Sequence, residues 1–276
     1  MKPIYIPELN KTFTNQDQLF SELKKNENQI ISLKKATIYK SAEKGQFATG
    51  NLHLVETKAA IDGMKSGYVY PIVNTTNYYD SHGDVHFPGI WNKTVKDQSG
   101  RIHYVLDHEL KVNNVVVWPE DVGLLLKSVT WSVVGKEYPG MTEALVLELP
   151  EDKIKNADAK QVFAEKRSVQ GSVRMQYVTI KLGINSEAKE YAENKAYYNS
   201  RIGEISNRTV VEEYGFFWGV EEAKLIKECS MVPFGSNDAT AIVYPDAVTD
   251  TKGGQDNTPP TGMDYEKLRK VKLFTT

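Results

Sequence analysis

The stretch QGSVRMQYVTIKL, at residues 170–182, limits the possible folds more than any other part of the chain. Its apolar side chains first occupy odd positions, such as Val173 and Tyr177, as they do on one face of a β-strand. They then move to even positions, from Val178 to Leu182. A regular strand with one buried face cannot carry both patterns, so the stretch predicts a β-bulge or burial on both faces. Either arrangement fits a strand that runs through the wall of a β-barrel.

The rest of the chain predicts an α+β fold. Short apolar runs separated by Gly, Pro, Asn and Asp extend from residue 68 to residue 150 and favour strands joined by loops. The segment TNQDQLFSELKKN has apolar residues at helical spacing, which predicts a helix capped by Thr14. We interpret IISLKKATIY, residues 30–39, as a strand and residues 151–168 as a helix.

Changes in composition divide the chain into three parts. Residues 1–30 are predicted to form an N-terminal helical extension, and residues 31–248 the main domain. Within the main domain, the residues near 187–211 are polar and helix-prone, so we interpret them as a helical insertion. Residues 249–276 combine a flexible linker rich in Gly, Pro and Asp with a short basic tail.

Charge and cysteine content exclude several classes of protein. Lys and Arg number 34 and Asp and Glu number 36, so no overall field attracts nucleic acid or an anionic membrane. Cys229 is the single cysteine, which excludes an internal disulfide. The first residues lack the apolar segment of a secretory signal, and no stretch reaches the length of a membrane span. We therefore expect a soluble protein of a reducing compartment.

One segment has the residue types of a metal site. DSHGDVH places four ligand-type side chains at alternate positions, and in an extended chain all four point the same way. Two imidazoles with carboxylates can hold Zn²⁺ and leave a position for water, as in a metal-dependent hydrolase. A polar loop without metal is the simpler alternative, because the chain lacks a helix-borne zinc-hydrolase motif. The four residues are Asp80, His82, Asp84 and His86.

A second set of residues has the types that acyl transfer requires, which are a hydroxyl, a base and a group that orients the base. Ser172 can supply the hydroxyl, His108 the base and Glu228 the orienting carboxylate. The alternative is that Ser172 is a strand-edge hydroxyl and the other two are ordinary polar strand residues. Sequence spacing leaves both interpretations open. We expect the neighbouring serines, Ser168 and Ser230, to matter far less.

Five blocks of the sequence carry a family resemblance, and in chain order they are DSHGDVHFPGIWNKTVKD, RIHYVLDHEL, GMTEALVLELP, GSVRMQYVTIKLGIN and FFWGVEEAKLIKECSMVPFGSN. They resemble, in the same order, the prohead serine proteases of tailed bacteriophages, especially forms from phages and prophages of Bacteroidetes. The blocks lie between Asp80 and Asn237, and the resemblance covers roughly residues 30 to 240. The number and order of the blocks make chance agreement improbable.

The resemblance implies a compact, mainly antiparallel β-barrel flanked by helices and related in fold to the herpesvirus assembly protease. It also implies a serine endopeptidase in which Ser172 is the nucleophile and His108 the base. Glu228 lies at a recurrent acidic position of the family and is the implied third member of the triad. No cofactor is implied.

The resemblance further implies the biological setting. Family members cleave segments of the scaffolding protein and the major capsid protein, and often themselves, inside the procapsid in the cytoplasm of the bacterial host. Self-association is a further expectation, and neither a specific nucleic acid nor a membrane is an expected partner. A catalytically inactive scaffold or internal head protein of the same fold is the alternative. We expect the tail after Val248 to be either a self-cleavage region or a tether.

The sequence departs from the family pattern beside the serine. Family members usually carry glycine two residues after the nucleophile, and Arg174 stands there in this chain. Its guanidinium can stabilise the developing oxyanion, obstruct the site or point into solvent. With Gly171 and Val173, Arg174 completes the set of residues predicted to contribute to the oxyanion hole or to substrate binding.

Overall fold

The computed structural model describes residues 2–38, 61 and 63–244, and within them the chain forms eleven strands and six α-helices. The strands are β1 (Ile4–Ile6), β2 (Lys11–Phe13), β3 (Tyr68–Thr75), β4 (Asp84–His86), β5 (His103–Leu106), β6 (Val115–Val117), β7 (Gly123–Thr130), β8 (Met141–Pro150), β9 (Gln170–Ile184), β10 (Phe216–Val232) and β11 (Ala241–Val243). The helices are α1 (Gln16–Lys25), α2 (Glu27–Ala36), α3 (Asn92–Gln98), α4 (Ala157–Ala164), α5 (Ala192–Arg201) and α6 (Arg208–Tyr214).

The long antiparallel pair of β9 and β10 organises the larger sheet. On its other edge, β10 pairs in parallel with β4 near its start and with β5 near its end. β6 then pairs with β5 in antiparallel orientation and completes this sheet of five strands. Since β5 and β9 flank the same part of β10, groups on the ends of these strands come together there.

A second sheet of four antiparallel strands has the order β11, β3, β8 and β7, and β1 with β2 forms a small third sheet. The α+β class is therefore confirmed, and most of the strand pairs are antiparallel. The predicted barrel is not formed among the described residues, where none of the three sheets closes on itself. The two large sheets meet where β9 crosses β3, but no ladder of backbone hydrogen bonds joins these strands.

The predicted bulge is confirmed. The pairing of β9 with β10 shifts register on either side of Glu222, opposite the point where the apolar positions of β9 change parity. A second irregularity lies between Leu225 and Cys229, where β10 has additional residues relative to β9. This second one was not predicted, and Glu228 lies in it.

The N-terminal helices agree only in part with the prediction. α1 is present, but its N-cap is Asn15 rather than Thr14, and the Asn15 side chain accepts a hydrogen bond from the N–H of Gln18 at 3.0 Å. α2 occupies most of the stretch interpreted as a strand, so that interpretation was wrong. Its buried face is formed by Ile30 and Lys34, four residues apart, as helical geometry requires. A buried lysine gives no apolar signal, which is why the helical period was hidden.

The N-terminal extension and the predicted insertion pack against the main domain. α1 and α2 contribute Leu19, Leu23 and Ile30 to the main core, so the N-terminal extension packs with the domain. α5 and most of α6 fall in the segment interpreted as an insertion, and α5 packs on β9. The described residues belong to one unit, Met1–Asp246, and the predicted tail at 249–276 lies outside them. No helix among the described residues is long and apolar enough to cross a membrane.

Candidate active site

Ser172 lies near the start of β9, directly across from Ser230 of β10. The side chains of Val173 and Met175 point into the main core, so by strand alternation Ser172 and Arg174 share the opposite face. Ser172 is buried, with 6% of its surface exposed to solvent. The serine is therefore held on a rigid element with little solvent around its hydroxyl.

His108 lies in the turn that follows β5, and its backbone is unusual. Asp107 and His108 have φ angles of 51° and 56°, in the left-handed region that costs a non-glycine residue about 1–2 kcal/mol. Two hydrogen bonds to β10 hold this turn: the Asp107 N–H donates to the Met231 carbonyl at 3.0 Å, and the His108 N–H donates to Ser230 Oγ at 2.9 Å. Strain of this kind persists where the surroundings fix it, and it is frequent at functional sites.

Glu228 occupies the second irregularity of β10, next to Lys227 with a φ of 68°. Its side chain has no exposed surface. Both carboxylate oxygens lie close to Nδ1 of His108, Oε1 at 2.9 Å and Oε2 at 3.2 Å. The irregularity therefore places a buried carboxylate directly behind the imidazole.

These three side chains form a continuous hydrogen-bonded chain. Nε2 of His108 lies 2.9 Å from Oγ of Ser172, while Nδ1 contacts Glu228. A carboxylate can only accept, so Nδ1 carries the hydrogen and Nε2 presents its lone pair to the serine hydroxyl. The residues are 64 and 120 positions from His108 in sequence, and the fold brings together the set that the sequence predicted. This arrangement can activate the serine as a nucleophile.

Residue 171 must be glycine because the two large sheets approach each other too closely there for a side chain. A Cβ on Gly171 would stand 2.8 Å from the Cα of Val73 and even closer to the carbonyl oxygen of Ile72. Its N–H donates to Oγ1 of Thr240 at 3.2 Å, so this N–H is not available to an oxyanion in the conformation described. Among the three predicted oxyanion or substrate residues, Gly171 thus has a packing role.

Val173 is the more suitable of the two backbone donors. Its side chain lies in the core, and backbone alternation turns its N–H toward the same outer edge as the N–H of Gly171, away from β10. Among the described residues, β9 has no strand partner on that edge. The Val173 N–H is therefore the backbone candidate for the oxyanion hole.

Arg174 is partly exposed, on the face of β9 that carries Ser172. Its Nε atom is buried and has no hydrogen-bond partner among the residues that the structure describes. Among the described residues, no carboxylate forms an ion pair with the Arg174 guanidinium. Arg174 is thus close to the serine along the strand and lacks a protein counter-ion there.

The four residues considered as metal ligands do not come together. Residues 80–83 form a turn rather than an extended strand, because Asp80 Oδ1 accepts the N–H groups of His82 at 2.8 Å and Asp84 at 3.0 Å. The alternation that would align the four side chains is therefore lost. No group of three or more metal-ligating side chains exists among the described residues.

Asp84 and His86 instead belong to a buried polar network. Lys34 Nζ donates to Asp84 Oδ1, and the Tyr177 hydroxyl donates to Oδ2, each at 2.7 Å. His86 Nε2 lies 3.3 Å from the Tyr177 hydroxyl, and its Nδ1 lies 2.9 Å from the side-chain nitrogen of Asn74. Both ring nitrogens of His86 are thus occupied by neighbours. Burial lowers the pKa of His86 to about 4, so this imidazole is neutral at neutral pH.

Asp80 has the opposite shift. Burial, reinforced by the negative charge of Asp84, raises the pKa of Asp80 to about 6. The two backbone N–H groups that Asp80 accepts favour its charged form and limit this rise.

Of the remaining histidines, His103 lies on β5 and packs its ring edge-on against Trp118, outside the hydrogen-bonded chain. His53 falls outside the described residues.

Sequence reasoning missed the role of Ser230. Its hydroxyl is fully buried, accepts the His108 N–H and donates to the Val105 carbonyl at 3.0 Å. It therefore ties the strained turn of His108 to β5 and β10. The signal available in the sequence was a small polar residue inside the apolar run of β10, but the same signal is common in strands with no such role.

Comparison of the chain with protein-family models, with curated proteins and with solved structures found no match. The geometry described above is therefore the main support for a function, and the family resemblance remains a sequence-based prediction.

Proposed function

We propose that this chain is a serine endopeptidase of the prohead protease type, with a fold related to that of the herpesvirus assembly protease. One observation carries the proposal: Nε2 of His108 lies 2.9 Å from Ser172 Oγ, while Nδ1 of the same ring lies 2.9 Å from the buried Glu228. A hydroxyl, a base and an orienting carboxylate in hydrogen-bonded sequence define the serine-protease type of mechanism.

In this mechanism, Ser172 Oγ attacks the carbonyl carbon of the scissile peptide while His108 Nε2 takes the hydroxyl proton. Glu228 stabilises the imidazolium that forms. The C–N bond then breaks as His108 returns the proton to the leaving amine, and an ester on Ser172 remains. Water hydrolyses this ester with His108 again acting as base, and no cofactor takes part.

The negative charge on the substrate oxygen requires a donor. The Val173 N–H is the backbone group best placed along β9 to supply it, since the N–H of Gly171 is bound to Thr240. The unpaired outer edge of β9 also favours a peptide substrate, because an extended chain can add to such an edge through main-chain hydrogen bonds.

The proposed substrates are segments of the scaffolding protein and the major capsid protein, and the chain itself, cleaved inside the procapsid in the bacterial cytoplasm. This part of the proposal is supported by the order and number of the resembling sequence blocks. Neither nucleic acid nor a membrane is a proposed partner. Self-association of the chain is compatible with the proposed function.

A second candidate is a catalytically inactive head protein of the same fold. The observation that favours it is Arg174, which takes the place of the usual family glycine on the face of Ser172. A side chain at this point can hinder the approach of a substrate peptide.

A fluorophosphonate probe separates the two candidates, because it forms a covalent bond only with an activated serine. We expect labelling of the parent at Ser172, and loss of both labelling and scaffold cleavage in Ser172→Ala, with a rate decrease on the order of a million. Ser168→Ala is the matched control, since Ser168 is exposed and outside the hydrogen-bonded chain.

Circular dichroism must show that the variants are folded. A folded parent that is neither labelled nor able to cleave co-expressed scaffold supports the inactive candidate. A folded Ser172→Ala chain that cleaves at the parental rate refutes the serine mechanism.

A further inference from the structure

Arg174 is a positive charge beside the nucleophile for which the described part of the protein supplies no counter-ion. It lies two positions from Ser172 on the same face of β9, so the two Cα atoms are about 7 Å apart. An extended arginine side chain covers a similar distance. Its guanidinium can therefore reach a group within one or two residues of a peptide bond that Ser172 attacks.

One nitrogen of the Arg174 guanidinium lacks a hydrogen-bond partner. Its Nε is buried and has no hydrogen-bond partner among the described residues. A buried guanidinium nitrogen that forfeits its hydrogen bond to water costs free energy unless another acceptor replaces the water. Glu228 is the carboxylate known to lie near this part of β10, and both of its oxygens are directed at His108.

The strand opposite Arg174 also leaves its side chain uncovered. Arg174 faces the irregularity of β10 between Leu225 and Cys229, where the regular pairing that would cover it is interrupted. The charged residues of the bulge are Lys227, which is exposed, and Glu228, which is buried against His108. The exposed charge of the bulge is therefore positive, which favours the approach of an anion.

We propose that Arg174 binds a carboxylate side chain of the substrate, so that peptides with Asp or Glu within one or two residues of the scissile bond are preferred. This inference rests on the proposed function. A guanidinium binds a carboxylate through two parallel hydrogen bonds, which makes this chemistry specific for acidic side chains over their amides.

The test measures kcat/KM for matched peptides that differ only in Glu against Gln at each position around the bond that the full-length chain cleaves. We expect the Glu peptide to be preferred at one position by about 10- to 100-fold, the factor typical of a charge-assisted hydrogen bond. In Arg174→Met this preference disappears, in Arg174→Lys it is partly kept, and in Arg174→Glu a Lys peptide becomes preferred. Loss of the unpaired Nε should leave the Arg174→Met chain folded, which circular dichroism checks.

Lys181→Met is the matched control. It removes the same charge from the same strand, but Lys181 is an exposed residue paired with Glu221 at 2.9 Å. We expect it to keep the parental Glu to Gln ratio, which excludes an effect of net charge alone.

The outcomes distinguish failure of the Arg174 inference from failure of the proposed function. Cleavage that requires Ser172 but shows no Glu preference, or the same preference in Arg174→Met, overturns this inference and leaves the proposed function intact. A uniform slowing of all peptides in Arg174→Met also overturns it, because that result assigns Arg174 to the oxyanion. A parent that cleaves no peptide and is not labelled at Ser172 overturns both.

Discussion

Two buried histidines, each close to a carboxylate and a hydroxyl, lie beside opposite ends of β10 and differ in what they can do. His108 contacts Glu228 on one ring nitrogen and the Ser172 hydroxyl on the other. His86 contacts the Asn74 amide on one nitrogen and the Tyr177 hydroxyl on the other. The residue types are similar, so composition alone does not tell which histidine can accept a proton from a hydroxyl.

The difference lies in the direction of the hydrogen bonds. The Tyr177 hydroxyl gives its hydrogen to Asp84, so it accepts from His86 Nε2, which carries the ring hydrogen. His86 Nδ1 therefore accepts from the Asn74 NH₂ at 2.9 Å, while Asn74 Oδ1, which lies 3.2 Å from the same nitrogen, accepts from Trp91 Nε1. The imidazole has no lone pair left for a reaction.

In the His108 chain the order is reversed. Because the carboxylate accepts from Nδ1, the lone pair of Nε2 faces a hydroxyl that can give up its proton. The comparison teaches that the partner of the first nitrogen decides whether the second nitrogen can act as a base.

The largest effect that tests this comparison is expected for Glu228→Gln. The amide can donate to Nδ1 and thereby favour the wrong tautomer of His108, and a comparable change in a well-studied serine protease lowers kcat by about 10⁴. Rates of scaffold cleavage, measured beside the partly exposed control Glu222→Gln, check this. A Glu228→Gln chain within tenfold of the parent would show that the carboxylate does not set the tautomer.

Lys34→Met should cause the next largest effect, on stability rather than on rate. Lys34 is 1% exposed and pairs with Asp84 at 2.7 Å and Glu8 at 3.2 Å. Its removal leaves a buried carboxylate uncompensated, which typically costs about 3–5 kcal/mol. Urea unfolding of this variant and of Lys35→Met, at the more exposed neighbouring lysine, measures the difference. Equal unfolding midpoints for the two variants would contradict a structural role of the network.

The smallest effect is a pH dependence carried by His86. Its pKa of about 4 lies below the value of about 6.5 in an unfolded chain, so the unfolded state binds the extra proton between these values. Stability contributed by the neutral ring is complete above about pH 6.5 and is lost as the pH falls toward 4. Between pH 7 and pH 5 this loss amounts to about 2 kcal/mol.

Asp80 acts in the opposite direction, because its raised pKa makes the folded state bind the extra proton below about pH 6. This contribution is common to the parent and to His86→Gln, so the difference between the two chains isolates His86. Urea unfolding at pH 7 and pH 5 should show a smaller acid-induced loss in His86→Gln. An identical loss in both chains would mean that His86 is not kept neutral by its surroundings.

The sequence predicted β9, its bulge and the α+β class, because apolar alternation along a strand is a direct record of burial. It also selected Ser172, His108 and Glu228, although their proximity depends on strand pairing that no local pattern reports. The second irregularity of β10 was not predictable, since its cause is the mismatch in length between two strands distant in sequence.

The strand predicted at residues 30–39 was wrong because a distant partner compensates the charge of a buried side chain. Lys34 broke the apolar period of α2 because its charge is compensated by Asp84, fifty residues away. The alternative of a metal site at residues 80–86 fails for a local reason, because Asp80 accepts two nearby N–H groups and closes a turn.

Gly171 lies against the backbone of Ile72 and Val73 without a positive φ angle. Its requirement for glycine is thus one of space and not of backbone freedom. Any added side chain would have to push β3 and β9 apart, and Ser172 is the next residue along. The second sheet therefore limits how far Ser172 can move toward it, although it contributes none of the three side chains of the Ser172–His108–Glu228 chain.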